Sequence, residues 1–431
     1  MRRRRVVAVV VGAAVLSSAA PLSVTSAAVT GVARAAGAVA RDGGWRAAIE
    51  VPGTNTLNKG GNAGISSMSC AAAGDCAAGG YYTDGSGHQQ AFVATERRGG
   101  WRPAFEVPGS GALNKGGDAD VAPVSCAAVG DCATGGEYKD RAGRYQAFVA
   151  SERHGAWRAA IEVPGTGALN KGGNAQVSSM SCTSAGDCVA GGWYTDGFGH
   201  QQAFVATQRA GVWRPAIEVP GTGALNKGGF ARVDSVSCAP AGGCAAGGSY
   251  RGGSRSRQAF VVSERHGAWR AAIEVPGSGA LNTGGDAEVF DVSCALARSC
   301  VAGGWYMDAS GAHQAFLVSE TNGAWRSAIK VPGTGRLNKD GGAMVGSVSC
   351  ASAGNCAAGG WYMDGSGNQQ AFVASERHGA WRSAIEVPGT GALNKGGAAA
   401  VDSVSCVSAG RCAANGYYID GSWKQQAFVA G

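Results

Sequence analysis

From residue 43 onward, short apolar runs alternate with clusters of Gly, Asp, Asn and Ser. Four kinds of run recur with strand character: V-x-S-(V/M)-S-C, C-(A/V)-(A/T)-G-G-x-Y, Q-A-F-(V/L)-x-(S/T) and W-R-x-A-(I/F)-(E/K)-V. The fourth run alternates with a period of two, which is typical of a strand with one buried face. In one copy, the side chains expected on that face are Trp157, Ala159, Ile161 and Val163. Since no segment has the period of a helix, the pattern predicts an all-β fold.

The four runs form a unit of 56 residues that recurs seven times without insertion or deletion. The Trp of the fourth run returns every 56 residues from Trp45 to Trp381, and the Phe of the third run from Phe92 to Phe428. A single four-stranded sheet cannot bury both of its faces, so neighbouring units must pack together. This arrangement predicts a seven-bladed β-propeller of four-stranded blades. A β-solenoid is the alternative, although the atypical capping repeats that solenoids usually carry are not seen.

The series of units opens on a fourth run and closes without one. Residues 45–51 follow an Ala-rich leader instead of a third run, and Gly431 lies six residues before the next Trp would fall. An N-terminal strand could supply the strand that the last blade lacks. We therefore expect residues 45–51 to complete the last blade and close the ring, with residues 43–431 forming one propeller domain.

The N-terminal leader has a different composition from the repeats. Four arginines at residues 2–5 precede an apolar run over 6–16 and then small residues, the signature of a secretory signal peptide. We assign residues 1–28 to this peptide, with cleavage as late as residue 35 as an alternative, and 29–42 to a linker. The apolar run is shorter than the roughly 18 residues of a membrane span, so we expect a secreted, extracellular and soluble monomer.

The net charge of +7 comes largely from this leader. Without its four arginines, 33 basic residues face 30 acidic ones, about +3, and they are interspersed. No basic stripe remains to predict a nucleic-acid partner.

The fourteen cysteines fall into seven pairs with C-x5-C spacing. Matched pairs in a secreted chain indicate disulfides, and facing residues of a hairpin are close enough to be bridged. The spacing does not suit zinc and no His lies beside the pairs, so no metal and no cofactor is predicted. The predicted bridges are Cys70–Cys76, Cys126–Cys132, Cys182–Cys188, Cys238–Cys244, Cys294–Cys300, Cys350–Cys356 and Cys406–Cys412.

The segment GGYYTDGSGHQQAF, residues 79–92, resembles the HAF-type extracellular repeat. The matching positions are Gly80, Thr83, Gly87, Ala91 and Phe92, which recur as Gly192, Thr195, Gly199, Ala203 and Phe204. Gln mostly stands before Ala-Phe, where that repeat has His. The paired Ser-Cys…Cys element is similar to Cys-paired propeller repeats of secreted bacterial proteins. The resemblance implies an extracellular repeat protein without an established activity.

Candidate binding residues lie in the loop P-G-T-G-A-L-N-K-G-G between units and in a nearby aromatic position. Loops carry function more often than cores do, and a ring of Asn-Lys pairs beside aromatic platforms would suit sugar rings. The alternative is that Asn and Gly cap a tight loop. The loop candidates are Asn58, Lys59, Asn114, Lys115, Asn170, Lys171, Asn226, Lys227, Asn282, Asn338, Lys339, Asn394 and Lys395. The aromatic candidates are Tyr81, Trp193, Trp305 and Trp361, while Tyr417, Glu137 and Ser249 hold the same position elsewhere.

No catalytic residues are predicted, because no Ser-His-Asp set, clustered carboxylate pair or phosphate loop stands out from the repeats. Near-identical units suit multivalent recognition, in which weak sites act together. We therefore expect a secreted binding module with lectin-like recognition of a polysaccharide or cell surface. The alternatives are an extracellular protein-interaction scaffold without a small ligand and a polysaccharide-acting enzyme.

Overall fold

The computed structural model describes residues 48–431, except residues 241 and 255. Glu50–Gly431 form one compact unit. The predicted signal peptide, the linker and residues 45–47 of the predicted closing strand lie outside the described residues.

Each repeat forms one antiparallel sheet, in which the first strand pairs with the second and the second with the third. The first strands are Ala63–Ala72, Ala119–Ala128, Ala175–Ser184, Ala231–Cys238, Ala287–Leu296, Ala343–Ser352 and Ala399–Ser408. The second strands are Asp75–Thr83, Asp131–Lys139, Asp187–Thr195, Cys244–Arg251, Ser299–Met307, Asn355–Met363 and Arg411–Ile419. The third strands are Gln89–Arg97, Tyr145–Arg153, Gln201–Arg209, Arg257–Arg265, His313–Thr321, Gln369–Arg377 and Gln425–Ala430. These seven sheets, numbered in chain order, correspond to seven blades and confirm the predicted β-propeller fold.

The fourth strand is divided into two short pieces that both pair with the third strand. The first pieces are Gly100–Trp101, Ala156–Trp157, Val212–Trp213, Ala268–Trp269, Ala324–Trp325 and Ala380–Trp381. The second pieces are Phe105–Glu106, Ile161–Glu162, Ile217–Glu218, Ile273–Glu274, Ile329–Lys330 and Ile385–Glu386.

The interruption makes the predicted alternation wrong within this strand. The amide of Ala160 leaves the ladder and donates to the carbonyl of Pro108 in the preceding unit, at 2.6 Å. Ala160 is therefore buried, whereas Ala159 and Ile161 are exposed. Val163 is fully buried, as predicted.

The loop between units contains one helical turn that the sequence pattern did not predict. A glycine at positive φ precedes each turn, for example Gly165 at 83°. A four-residue segment has too few residues for helical periodicity to show. The turns are Thr54–Leu57, Ser110–Leu113, Thr166–Leu169, Thr222–Leu225, Ser278–Leu281, Thr334–Leu337 and Thr390–Leu393.

All seven predicted disulfides are present. Each joins residues that face each other across the first hairpin, as Cys182 and Cys188 do with Cα atoms 4.0 Å apart. No free cysteine occurs in the described part of the chain. Seven disulfides indicate an oxidising compartment, in agreement with an extracellular protein.

The core lies between consecutive sheets. Between the first and second sheets, for example, Ala91 and Val93 of one third strand pack with Val121 and Phe148 of the next sheet. In the first six sheets, the first of the two glycines on the second strand allows this approach. A Cβ on Gly191 would lie 2.5 Å from Val236 Cγ2 of the next sheet, and a Cβ on the following glycine would overlap a carbonyl oxygen of its own first strand.

The seventh sheet differs from the other six. It has three strands within the described residues, and Val429 on its third strand is 59% exposed. Residues 48–51 belong to no strand. The described part of the predicted closing strand is therefore not in a strand, and ring closure through residues 45–51 stays a prediction.

Candidate functional site

One set of positions varies strongly among units that are otherwise alike. These positions lie where first strands begin, second strands end and third strands begin, which we call the variable end. On the first strands they hold Gly64, Asp120, Gln176, Arg232, Glu288, Met344 and Ala400. On the second strands they hold Tyr81, Glu137, Trp193, Ser249, Trp305, Trp361 and Tyr417. On the third strands they hold Gln89, Tyr145, Gln201, Arg257, His313, Gln369 and Gln425.

Charges from the fourth and fifth sheets meet in one network at this end. Glu288 is 2% exposed and accepts from Arg232 at 2.7 Å and from Arg257 at 2.8 Å. Arg257 also pairs with Asp286 at 2.5 Å, and Arg232 with Asp234 at 2.7 Å. Burial raises the pKa of Asp234. Because each buried acid has a guanidinium partner, the network holds the two sheets together at the variable end.

Trp305 packs into this network and does not present an open ring face for stacking. The Arg257 guanidinium lies 5.0 Å from its ring centroid, and the His313 ring lies 4.2 Å away on centroids. Trp305 is 7% exposed, so little of its surface is left for a ligand. Burial lowers the pKa of His313.

The other aromatic candidates lie at the variable end with part of their surface free. Tyr81, Trp193, Trp361 and Tyr417 are all half-buried. The Tyr417 hydroxyl accepts from the Gln369 amide at 3.2 Å. Half-exposed aromatic rings with amide neighbours are suited to stacking and hydrogen bonding with a polar ligand.

The second sheet has an acid, Glu137, in the aromatic position and a second acid, Asp120, opposite it on the first strand. Asp120 and Glu137 face each other across the first hairpin, and Ser66 of the first sheet donates to Asp120 at 3.2 Å. The Tyr145 hydroxyl donates to Asp118 at 2.5 Å. Burial raises the pKa of Asp120 to about 6 and that of Glu137 to about 7. Both groups therefore titrate near neutral pH.

The loop asparagines serve mainly to hold the loops. The Asn170 amide donates to the Tyr145 carbonyl at 3.0 Å and to Gln146 Oε1 at 2.8 Å, and its oxygen accepts from the Asn174 amide. Six of the seven are buried: Asn114, Asn170, Asn226, Asn282, Asn338 and Asn394. Asn58 is half-buried. Their side chains are engaged within the protein, and ligand binding by them stays a prediction.

The loop lysines, by contrast, are exposed. Four of them bond a carbonyl of the preceding helical turn, as Lys171 does to Gly167 at 2.9 Å. Their neighbour is the hairpin between second and third strands, since a Cβ on Gly197 would contact Lys171 at 3.5 Å. The exposed lysines are Lys59, Lys115, Lys171, Lys227, Lys339 and Lys395. They add positive charge at the variable end.

Sequence reasoning found the aromatic position but missed its charged neighbours, among them Asp120, Arg232, Arg257 and Glu288. The signal was available, because these positions change from unit to unit while flanking residues stay constant. Which sheet each charge would meet depended on the stacking of consecutive units, which repeat spacing alone does not give.

Within residues 48–431 as described, no three His, Cys, Asp or Glu side chains are placed to hold a metal ion. No helix in this part of the chain is both long and apolar enough to cross a bilayer.

Comparison with known proteins finds similar folds only among solved structures. No family model matches the chain, and no curated protein matches it. The β-propeller domain of the Trilobed protease from Pyrococcus furiosus is 7% identical, covers 85% of this chain and 95% of its own, and has a TM-score of 0.45. A polysaccharide lyase, the PL25 ulvan lyase, is 10% identical over 87% of this chain and 92% of its own, also with a TM-score of 0.45. A protein of unknown function from Dyadobacter fermentans is 10% identical over 70% and 91%, with a TM-score of 0.39.

Proposed function

We propose that this protein is an extracellular binding module that recognises a polysaccharide through its variable end. The observation that carries the proposal is the set of half-buried aromatic rings, Tyr81, Trp193, Trp361 and Tyr417, in equivalent positions on four sheets. Equivalent positions repeated around one end suit a ligand that itself repeats, because several weak contacts then act together.

The positive charge of the exposed lysines favours a negatively charged ligand. All six lie in equivalent loops at the variable end. A polysaccharide bearing carboxylate or sulfate groups therefore binds more tightly than a neutral one of equal length, and salt weakens its binding.

Retention on insoluble cell-wall polysaccharides and on glycan arrays tests this function. We expect Trp193→Ala and Trp361→Ala to weaken retention, each by about twofold to tenfold for a stacking contact of about 0.5–1.5 kcal/mol. Val212→Ala is the matched control, since Val212 is 68% exposed on the first piece of a fourth strand, at the other end of its sheet. Absence of retention on every acidic and neutral polysaccharide would contradict the proposal.

A polysaccharide-cleaving enzyme is a second candidate, favoured by the acid pair of the second sheet. Asp120 and Glu137 face each other with pKa values near 6 and 7, which suits one as base and the other as acid. Cleavage should then be greatest between about pH 6 and 7 and be lost in Asp120→Asn and Glu137→Gln. The release of reducing ends measures this cleavage. Retention on the polysaccharide without any released product would contradict the enzyme and support the binding module.

A further inference from the structure

A series of ion pairs joins consecutive sheets at the end opposite the variable end. Near the end of three of the third strands, an arginine reaches an acid on the third strand of the following sheet. The pairs are Arg97–Glu152 at 2.7 Å, Arg209–Glu264 at 3.7 Å and Arg265–Glu320 at 3.4 Å. The acids are 1–3% exposed, so each relies on the guanidinium of the sheet before it.

The series is broken once on the acid side, and a hydrogen bond replaces the ion pair. Gln208 stands where the others have Glu and donates to the Ser151 hydroxyl at 2.9 Å. The arginine left over, Arg153, lies 3.5 Å from Asp131 of its own sheet. Both members of the altered pair thus have new partners.

The series is broken on the basic side between the fifth and sixth sheets, and there nothing replaces the missing group. Thr321 stands in the arginine position, so no arginine of the fifth sheet is available to pair with Glu376. Glu376 is 5% exposed and has neither a side-chain hydrogen bond nor an ion pair among the described residues. Burial raises the pKa of this carboxyl. It is the one buried side chain of the described series without a partner.

A cavity of about 590 Å³ opens in front of this carboxyl. Its wall includes Ser319, Thr321, Glu376 and Trp381. The indole N–H of Trp381 is buried there without an acceptor, whereas the equivalent Trp325 donates to the Ser263 hydroxyl at 3.0 Å. The cavity therefore presents one unpaired acceptor and one unpaired donor.

We propose that this cavity binds a guanidinium group supplied from outside the chain, either on a small molecule or on the arginine side chain of a peptide. The neighbouring junctions hold a guanidinium against the equivalent carboxylate, so the pocket has the charge and the geometry for that group. A guanidinium donates two parallel N–H groups to a carboxylate, which a metal ion or a neutral amide does not.

Arg326 also lines the cavity and is the competing cation. Its side chain is exposed and makes no ion pair with Glu376 in the described structure. If Arg326 occupied the site in solution, an external guanidinium would bind only after its removal, so Arg326→Ala distinguishes the two cases.

Isothermal titration calorimetry of the purified protein tests the proposal. The probes are methylguanidine and an acetylated Gly-Arg-Gly amide, with the citrulline peptide as the neutral isostere. We expect one site per chain for a guanidinium probe and no binding of the citrulline peptide. Binding of the arginine peptide alone would identify a peptide as the source, and binding of both would show that the free cation suffices.

Two substitutions serve as matched variants, one at the position of the missing arginine and one at the unpaired acid. Thr321→Arg restores the internal guanidinium and Glu376→Gln removes the charge, so both should weaken binding about tenfold or more. Arg265→Thr opens the equivalent site at Glu320 and should raise the stoichiometry from one to two. Equal affinity in the wild type and Thr321→Arg, binding only in Arg326→Ala, or no binding at all would overturn the proposal.

Discussion

At the scale of single residues, the distance between sheets depends on one glycine per unit. In the first six sheets, the first glycine of the second strand faces valine side chains of the next sheet, and only a hydrogen fits there. Asn415 takes this position in the seventh sheet and is exposed, because no following sheet packs on it in the described structure. On the other side of the series, Ile65 and Met68 of the first sheet are 50% and 58% exposed.

We therefore expect Gly191→Ala to lower the free energy of unfolding by about 1–3 kcal/mol, the usual cost of overpacking. The added Cβ would lie 2.5 Å from Val236 Cγ2 and 2.6 Å from Val233 Cγ1. Asn415→Ala changes the equivalent position without such contacts and should stay within about 0.5 kcal/mol of the wild type. Thermal unfolding compares the two, and an equal effect would contradict tight stacking at Gly191.

At the scale of the elements, the short strands with a clear pattern were predictable and the interrupted fourth strand was not. Period two identifies a strand only while the chain stays in the ladder, and Ala160 leaves it to bond the preceding unit. The helical turn was not predicted for a related reason, since a segment of four residues is too short to show a helical period. The aromatic position of the site could likewise be predicted from the sequence. The ion pairs of Glu288 with its two arginines could not, because they depend on how two sheets pack together.

The Glu that recurs on the fourth strand of five sheets also acts within its own sheet. Glu218 accepts from the Tyr194 hydroxyl at 3.1 Å and from Thr222 of the helical turn at 3.3 Å, which ties the second strand to the loop. The fifth sheet has Lys330 in this position, and there the buried Tyr306 has no carboxylate acceptor among the described residues.

Lys330→Glu should therefore stabilise the protein by about 1 kcal/mol, the typical net contribution of one hydrogen bond. The expected change is a higher midpoint in thermal unfolding. Lys330→Met removes the same charge without adding an acceptor and is the control. Equal stabilisation by both substitutions would show that loss of the lysine, not the new bond to Tyr306, is responsible.

At the scale of the whole molecule, each of the second to sixth sheets is stabilised by the sheets on either side of it. The seventh sheet is the most exposed, and its third strand Gln425–Ala430 pairs with one neighbour within the described residues. Strands with a free edge and an exposed face open more easily than strands in the interior of a sheet.

Hydrogen exchange measured by mass spectrometry distinguishes the described sheet from the predicted closure. With three strands, peptide 425–431 should exchange faster than the equivalent peptide 369–375. If residues 45–51 complete the last blade, the two peptides should be protected alike, and deletion of residues 43–51 should remove protection from 425–431 alone. Similar exchange in the full chain and the deletion variant would contradict closure by that strand.

The contact between a glycine and the valines of the next sheet also bears on how the number of units can change. Units of equal length that meet through the same contact can be lost or duplicated as whole copies, because each new junction repeats an existing one. Asn415 limits this freedom at one place. A copy inserted after the seventh sheet would meet an asparagine side chain where every other junction has a hydrogen atom. Duplication of an internal unit would therefore recreate an existing junction, whereas a copy placed directly after the seventh sheet would not.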